Sequence, residues 1–176
     1  VLMINSFKEY FSKHGEPIYE NPSPGNKQGG ITTLEEKSLG CIQKGGRSPV
    51  TDVLELYGEC KKSGLSLLWG PGNDIVSSSN IAAAGATLLL FTTGRGTPFG
   101  SFVPTIKISS NSSVAKRKRC WIDFDAAGIV KNNDFTFYRV ELSKLSIETA
   151  SGEKKKSEQK GYREAANFKS GVTLGL

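Results

Sequence analysis

Residues 88–100 read LLLFTTGRGTPFG, and the predicted fold is organised around this stretch. It begins with an apolar run at 88–91, which is typical of a buried strand covered on both faces. The glycines on either side of Arg95 let the backbone turn sharply and approach a ligand closely. A guanidinium at the carboxyl end of such a strand can hold a carboxylate or phosphate through two parallel hydrogen bonds. The stretch predicts an anion-binding loop, and the alternative is a glycine-rich turn with Arg95 in a surface ion pair.

A second apolar strand, 65–69, is also followed by glycines and polar side chains, GPGND at 70–74. A helix from 74 to 84 separates it from the strand at 87–91, so we predict a β-α-β unit with parallel strands. Both polar loops would then lie at one edge of one sheet. We therefore expect Asn73, Asp74, Thr92 and Arg95 to converge, although Asp74 is equally suited to cap its helix.

The remaining patterns place further elements along the chain. Helical spacing predicts helices at 6–13, at 50–57, over 135–151 and over 157–168, and a short basic helix within 111–119. Alternating patterns predict strands at 103–109 and 121–124. Two prolines and three glycines within 21–30 argue against regular structure there. The expected fold is a single α/β domain over 1–176, Rossmann-like and three-layered, with a mostly parallel three- to four-stranded sheet flanked by helices.

The segment TTLEEK at 32–37 has two interpretations. Thr32 or Thr33 with Glu35 or Glu36 three residues later fits a capping box at the start of a helix. A carboxylate and an ammonium beside a glycine-rich loop also suit proton transfer or metal binding. The residues alone leave both interpretations open.

Composition excludes several classes of protein. The net charge of +6 includes seven positive charges in the runs 116–119 and 154–156, which we expect to be solvated turns without the interleaved aromatics of a nucleic-acid site. Three cysteines without C-x-x-C spacing and one histidine argue against a disulfide framework and a His-rich zinc site, and favour a reducing cytoplasm. No signal peptide, membrane-length apolar run, P-loop or dinucleotide motif is present, so we expect neither a membrane nor a nucleotide partner.

Six segments taken together resemble the altronate and galactarate dehydratase family over about residues 18 to 174. They are NPSPGNKQGGITTLEEKSLG, GPGNDIVS, FTTGRGTPFG, VPTIKISSN, WIDFDAAG and GYREAANFKSGVTL. The resemblance implies the C-terminal portion of a larger enzyme that removes water from altronate or galactarate with Fe(II) or Mn(II). Large subunits of sulfolactate sulfo-lyases are similar in the same region. A non-catalytic anion-binding or assembly domain is the alternative.

The family motifs carry over to particular residues of this chain. They imply catalytic roles for Lys27, Glu36 and Lys37, and metal binding by Asp74 and Glu36. The implied substrate-binding residues are Asn26, Thr93, Gly94, Arg95 and Gly96, and the expected convergence of the two strand-end loops adds Asn73 and Thr92 to them. We expect a sugar-acid substrate, contacts with the remaining domains of the parent chain and a homo-oligomer, and neither dehydratase activity nor tight metal binding from this portion alone.

Overall fold

The computed structural model describes residues 1–17 and 22–168, in which helices are combined with parallel strands. Asn21 and the closing residues 169–174 of the family-like segments lie outside the described residues. The chain separates into two compact units, one formed by Val1–Asn73 with Phe168 and the other by Asp74–Asn167. The α/β class and the parallel strands are confirmed.

The first unit contains three helices and a two-stranded parallel sheet among its described residues. The helices are α1 (Leu2–Lys13), α2 (Pro24–Gln28) and α3 (Leu34–Lys44), and the paired strands are β1 (Val50–Leu54) and β2 (Leu65–Leu68). The helix predicted at 50–57 is wrong. The segment follows Pro49 and has β-branched side chains at 50, 51 and 53, which favour an extended chain. β2 provides the backbone hydrogen-bonding partner for this strand.

An aromatic cluster forms the interior of this first unit. Phe7 contacts Phe11, the buried residue of α1, and Trp69, with ring centroids 5.1 Å and 6.1 Å apart. Phe168 packs on Trp69 at 5.9 Å, and its backbone N–H donates to the Tyr57 hydroxyl at 2.8 Å. The interior of this unit is therefore completed by a residue that lies 111 positions after Tyr57 in the sequence.

Part of the glycine-rich segment at 21–30 forms a short helix. The expectation of no regular structure at 21–30 is wrong, because Pro24 takes the first position of α2, where a missing N–H costs nothing. His14 lies at the C-terminal end of α1, with Nδ1 2.8 Å from the Tyr10 carbonyl oxygen. Cys41, Cys60 and Cys120 are exposed free thiols, in agreement with the expected lack of disulfides.

The second unit contains a three-stranded parallel sheet in the order β3-β4-β5, with β3 (Leu89–Thr93), β4 (Thr105–Ser109) and β5 (Phe124–Asp125). Its helices are α4 (Asp74–Ala83), α5 (Ser112–Arg117), α6 (Gly128–Asn132), α7 (Phe135–Ala150) and α8 (Lys156–Gln159). The central strand β4 is buried along its whole length. It is the rigid element from which the polar groups of this unit are positioned.

The predicted β-α-β unit of strands 65–69 and 87–91 is wrong. β2 pairs with β1 and β3 pairs with β4, so the two strands belong to different sheets. The order strand, helix, strand in the sequence is compatible with a crossover connection. The partner of β2 is instead β1, which lies in the segment predicted to be a helix. The expected convergence of Asn73, Asp74, Thr92 and Arg95 was inferred from this β-α-β unit. Without that support it stays a prediction.

The C-terminal part of the second unit also departs from expectation. The predicted helix at 157–168 is limited to α8, because the chain after Gly161 bonds to other segments: Glu164 N–H donates to the Gly100 carbonyl at 2.7 Å and Ala166 N–H donates to Ser79 Oγ at 3.0 Å. The run at 154–156 is not wholly solvated, since Lys155 is only 3% exposed and pairs with Glu153.

Candidate functional site

The predicted anion-binding loop begins where β3 ends. Thr93 Oγ1 accepts a hydrogen bond from the Gly96 N–H at 2.9 Å, and the Thr93 carbonyl accepts one from Ser110 N–H at 3.1 Å. These two bonds close a tight turn with Gly94 and Arg95 at its tip. Thr92, Gly94 and Arg95 are exposed. The loop thus holds an accessible guanidinium on a constrained backbone, as an anion site requires.

Three side chains from the segment 107–118 hold the carbonyl groups of this loop. Asn111 Nδ2 donates to the Gly94 carbonyl at 2.8 Å, and Lys118 Nζ donates to the Gly96 carbonyl at 3.1 Å. Lys107 Nζ donates to the Thr97 carbonyl at 2.8 Å. The backbone around Arg95 is therefore fixed from β4 and α5 and not only by its own turn.

Gly96 is needed at its position for two reasons. Its φ is +74°, in the left-handed region that side chains disfavour. A methyl group there would lie 2.9 Å from Lys118 Cδ and 3.2 Å from Val114 Cγ1. The second glycine of the motif thus permits close packing of the loop against α5.

Lys107 lies in the middle of β4 and is fully buried. Burial lowers the pKa of its ammonium group, while the charges of Asp123 and Glu164 and the Cys120 thiol act in the opposite direction. The Asp123 carboxylate accepts hydrogen bonds from the backbone N–H groups of Lys107 and Lys156, at 2.9 Å and 3.1 Å. Sequence reasoning missed Lys107, and the signal was a lysine inside the strand segment VPTIKIS.

Asp74 is exposed in the first turn of α4 and belongs to the helix proper instead of preceding it as the cap. A carboxylate there interacts favourably with the positive end of the helix dipole. This electrostatic role is compatible with the predicted role as a metal ligand and does not require it.

In the first unit, the structure brings together two of the predicted residues. Lys37 Nζ donates to Asn26 Oδ1 at 3.2 Å, and the same oxygen accepts from Ser23 Oγ at 3.1 Å. Lys27 lies one residue farther along α2 and is exposed. α2 and α3 thus present an amide and two ammonium groups in one region of this unit.

Glu36 forms the capping box that begins α3. Its Oε2 accepts hydrogen bonds from Thr32 N–H and Thr32 Oγ1, both at 2.9 Å, and from Thr33 N–H at 3.3 Å. In return, Glu36 N–H donates to Thr33 Oγ1 at 3.2 Å. The bonds from Thr32, followed by that from Thr33, lower the pKa of the Glu36 carboxyl. The capping interpretation is confirmed, and Glu36 is ionised at neutral pH.

Within residues 1–17 and 22–168, no group of three or more His, Cys, Asp or Glu side chains is placed to hold a metal ion. The predicted ligands Glu36 and Asp74 belong to different compact units. The described residues therefore do not build a complete metal centre by themselves. No helix in the part of the chain that the structure describes is both long and apolar enough to cross a membrane.

Comparison with known proteins agrees with the sequence motifs. The family model for D-galactarate/altronate dehydratase, C-terminal, matches residues 1–173. Altronate dehydratases of Bacillus subtilis and Escherichia coli are 56% and 55% identical over 99% of this chain, which spans 35% of each relative. The galactarate dehydratase (L-threo-forming) of Escherichia coli is 39% identical over 77% of this chain and is matched over 26% of its own length.

The chain thus spans about a third of the length of the altronate dehydratases that it matches. The family model matches the chain almost from end to end, and the glycine-rich loops, the buried strand β4 and the capped helix α3 all fall within the matched residues. The chain belongs to the D-galactarate/altronate dehydratase family, of which it represents the C-terminal region.

Proposed function

We propose that this chain is the C-terminal part of a hydro-lyase that dehydrates altronate, and that its loop at 94–96 presents Arg95 to the substrate carboxylate. The observation that carries the proposal is the accessible Arg95 on a backbone fixed by Thr93, Asn111 and Lys118. The higher identity to altronate dehydratases than to galactarate dehydratase supports altronate over galactarate as the substrate.

The reaction requires a proton to leave the carbon next to the carboxylate and a hydroxyl to leave the following carbon as water. The enol formed in this way tautomerises to a keto-deoxy sugar acid. Negative charge accumulates on the carboxylate as the proton is removed, and a fixed guanidinium stabilises that charge where it develops. Arg95 is suited to this task because its planar fork can bind both carboxylate oxygens.

Lys27 and Lys37 are the proposed groups for proton transfer or for binding a second anionic group. Lys37 is oriented by Asn26, which supports a defined position for its ammonium group. The lowered pKa of Glu36 makes its carboxylate a weak proton acceptor. We therefore assign Glu36 to positioning Lys37, the next residue of α3, and keep a metal-binding role for it only as a prediction.

A divalent metal, Fe(II) or Mn(II), is expected from the family, and hard carboxylate oxygens such as that of Asp74 would suit either ion. Since the described residues do not complete a metal centre, we derive no step of the reaction through a metal. The remaining domains of the enzyme, a homo-oligomeric state and a cytoplasmic location stay predictions.

The test is turnover by the full-length enzyme, supplied with Fe(II) or Mn(II), on altronate, galactarate and sulfolactate in parallel. We expect release of a keto-deoxy acid from altronate, with lower kcat/KM for galactarate. Sulfite release from sulfolactate would instead support the similarity to the sulfo-lyase subunit beta of Chromohalobacter salexigens, which is 32% identical over 81% of this chain. Turnover that persists after Arg95→Ala would favour a non-catalytic assembly role for this region.

A further inference from the structure

We propose that Lys107 is a positioning residue for the anion-binding loop, fixing Arg95 through its bond to the Thr97 carbonyl. The proposal rests on the function proposed above for Arg95. It assigns a role to a side chain that lies beneath the loop in the central strand and does not reach the surface.

A buried lysine requires an explanation, because charged side chains are almost never fully buried without a partner. The Lys107 ammonium donates to a backbone carbonyl of the loop at 2.8 Å, and it forms no ion pair with a carboxylate among the residues that the structure describes. An aliphatic side chain would fill the interior of β4 without the cost of burying a charge. Lysine at this position provides a hydrogen bond to the loop, which leucine or methionine cannot form.

Lys107 is the most deeply buried of the three groups that hold the loop. Lys118 and Asn111 are partly exposed and lie in or beside the short helix α5. Lys107 instead lies in β4, which pairs with β3 on one side and β5 on the other. Because its own N–H is held by Asp123, both its backbone and its ammonium group are fixed.

Acidic groups near Lys107 act against the effect of burial. Burial lowers the pKa of the Lys107 ammonium group, and the charges of Asp123 and Glu164 oppose that shift. The protonated amine donates to the Thr97 carbonyl, which follows Gly96 directly in the chain. Loss of this bond would release the Thr97 carbonyl, while the bonds with Thr93 and Lys118 would still hold Gly96.

The test compares Lys107→Met with Ile106→Val in the full-length enzyme. Ile106 is the neighbouring, equally buried residue of β4, and its truncation perturbs the strand without touching the loop. We expect Lys107→Met to lower kcat/KM for altronate roughly ten- to a hundredfold, the equivalent of one lost charge-assisted hydrogen bond. Ile106→Val should change kcat/KM less than about threefold, because only one methyl group is removed.

A double-mutant cycle with Arg95→Ala separates positioning from general damage. If Lys107 acts through Arg95, Lys107→Met should add less than about a threefold loss once Arg95 is gone. If the fold losses in kcat/KM of Lys107→Met and Arg95→Ala simply multiply in the double variant, Lys107 acts independently of Arg95 and the proposal is overturned.

Hydrogen exchange provides a readout that does not depend on the substrate. Peptides covering 94–100 should exchange faster in Lys107→Met than in wild type or Ile106→Val, while peptides of α7 remain unchanged. Unaltered exchange at 94–100 would overturn the positioning role even if activity fell. If the wild-type enzyme does not act on altronate, the proposed function fails, and the exchange result still decides the role of Lys107.

Lys107→Gln, which is polar but too short to reach the Thr97 carbonyl, serves as the second variant and should behave as Lys107→Met does. If neither variant folds while Ile106→Val does, Lys107 is required for folding of the sheet and the positioning proposal is rejected.

Discussion

Replacing Gly96 by alanine tests the packing of the anion-binding loop. Gly96 and Gly161 have the same φ of +74°, but only Gly96 is crowded. A methyl group at Gly96 would lie 2.9 Å from Lys118 Cδ and 3.2 Å from Val114 Cγ1, whereas at Gly161 it meets nothing within 4 Å. Gly161→Ala is therefore a matched control that shares the backbone strain and lacks the collision.

The expected free-energy changes follow from this difference. An alanine in the left-handed region costs about 1–2 kcal/mol, which reduced freedom of the unfolded chain offsets by about 0.4–1 kcal/mol. Gly161→Ala should thus lower the free energy of unfolding by about 1 kcal/mol. Gly96→Ala must also displace Lys118, whose Nζ is held by the Gly96 carbonyl at 3.1 Å and lies 5.1 Å from the Trp121 ring centre. Overpacking and the disturbed contacts add about 1–3 kcal/mol.

The assay is urea unfolding followed by Trp121 fluorescence in a Trp69→Phe background, so that the signal reports the second unit. A lower midpoint at unchanged slope shows a change in stability alone. We expect Gly96→Ala to be less stable than Gly161→Ala by about 1–3 kcal/mol. Equal midpoints for the two variants would refute the close packing of Gly96 against α5.

Two further predictions concern titratable groups. The pKa of Glu36 is lowered on folding, so its contribution to stability is present above pH 4.5 and is lost as the pH falls through the folded value. Glu36→Gln should therefore flatten acid unfolding of the first unit as the pH falls below 4.5, whereas Glu35→Gln should not, and identical acid profiles would contradict the capping role. The pKa of Lys107 is lowered below its ordinary 10.5 against the opposing effects of Asp123, Glu164 and Cys120, so between the two values the unfolded chain binds more protons and stability rises with pH. In urea unfolding, wild type should gain stability relative to Lys107→Met as the pH rises toward 10.5, and a pH-independent difference would contradict the lowered pKa of Lys107.

Much of the local structure followed from periodicity and end signals. The helix at 74–83, the long helix at 135–150 and the strands at 89–93 and 105–109 were all predicted, because their apolar patterns and flanking glycines are strong. The apolar residues of α7 are not all covered. Leu142 and Leu145 are half-buried and Thr149 is buried, whereas Val140 and Ile147 are 53% and 68% exposed.

The sequence could not reveal which strands pair. The apolar spacing of Val50, Val53 and Leu54 fits a helix as well as a strand, and only the pairing with β2 decides between them. Strand pairing depends on contacts between residues far apart in the sequence. Local sequence patterns therefore do not predict how the five strands among the described residues divide into two sheets.

The candidate site shows the same limit. The loop around Arg95 was identified from its glycines, and the capping box of Glu36 was one of two interpretations that the residues left open. The supporting groups Lys107, Asn111 and Lys118 were missed, because each acts on a backbone carbonyl ten or more residues distant. Hydrogen bonds from side chains to distant backbone carbonyls leave no recognisable sequence motif.

Arg95→Lys in the full-length enzyme tests the central claim most directly. Lysine keeps the charge but loses the planar fork, so bidentate contact with a carboxylate is lost. We predict that kcat/KM for altronate falls roughly ten- to a hundredfold, about 1.5–3 kcal/mol, with part of the loss in kcat because the carboxylate gains charge in the transition state. Wild-type kcat and KM in Arg95→Lys would contradict the claim that the loop at 94–96 binds the substrate carboxylate.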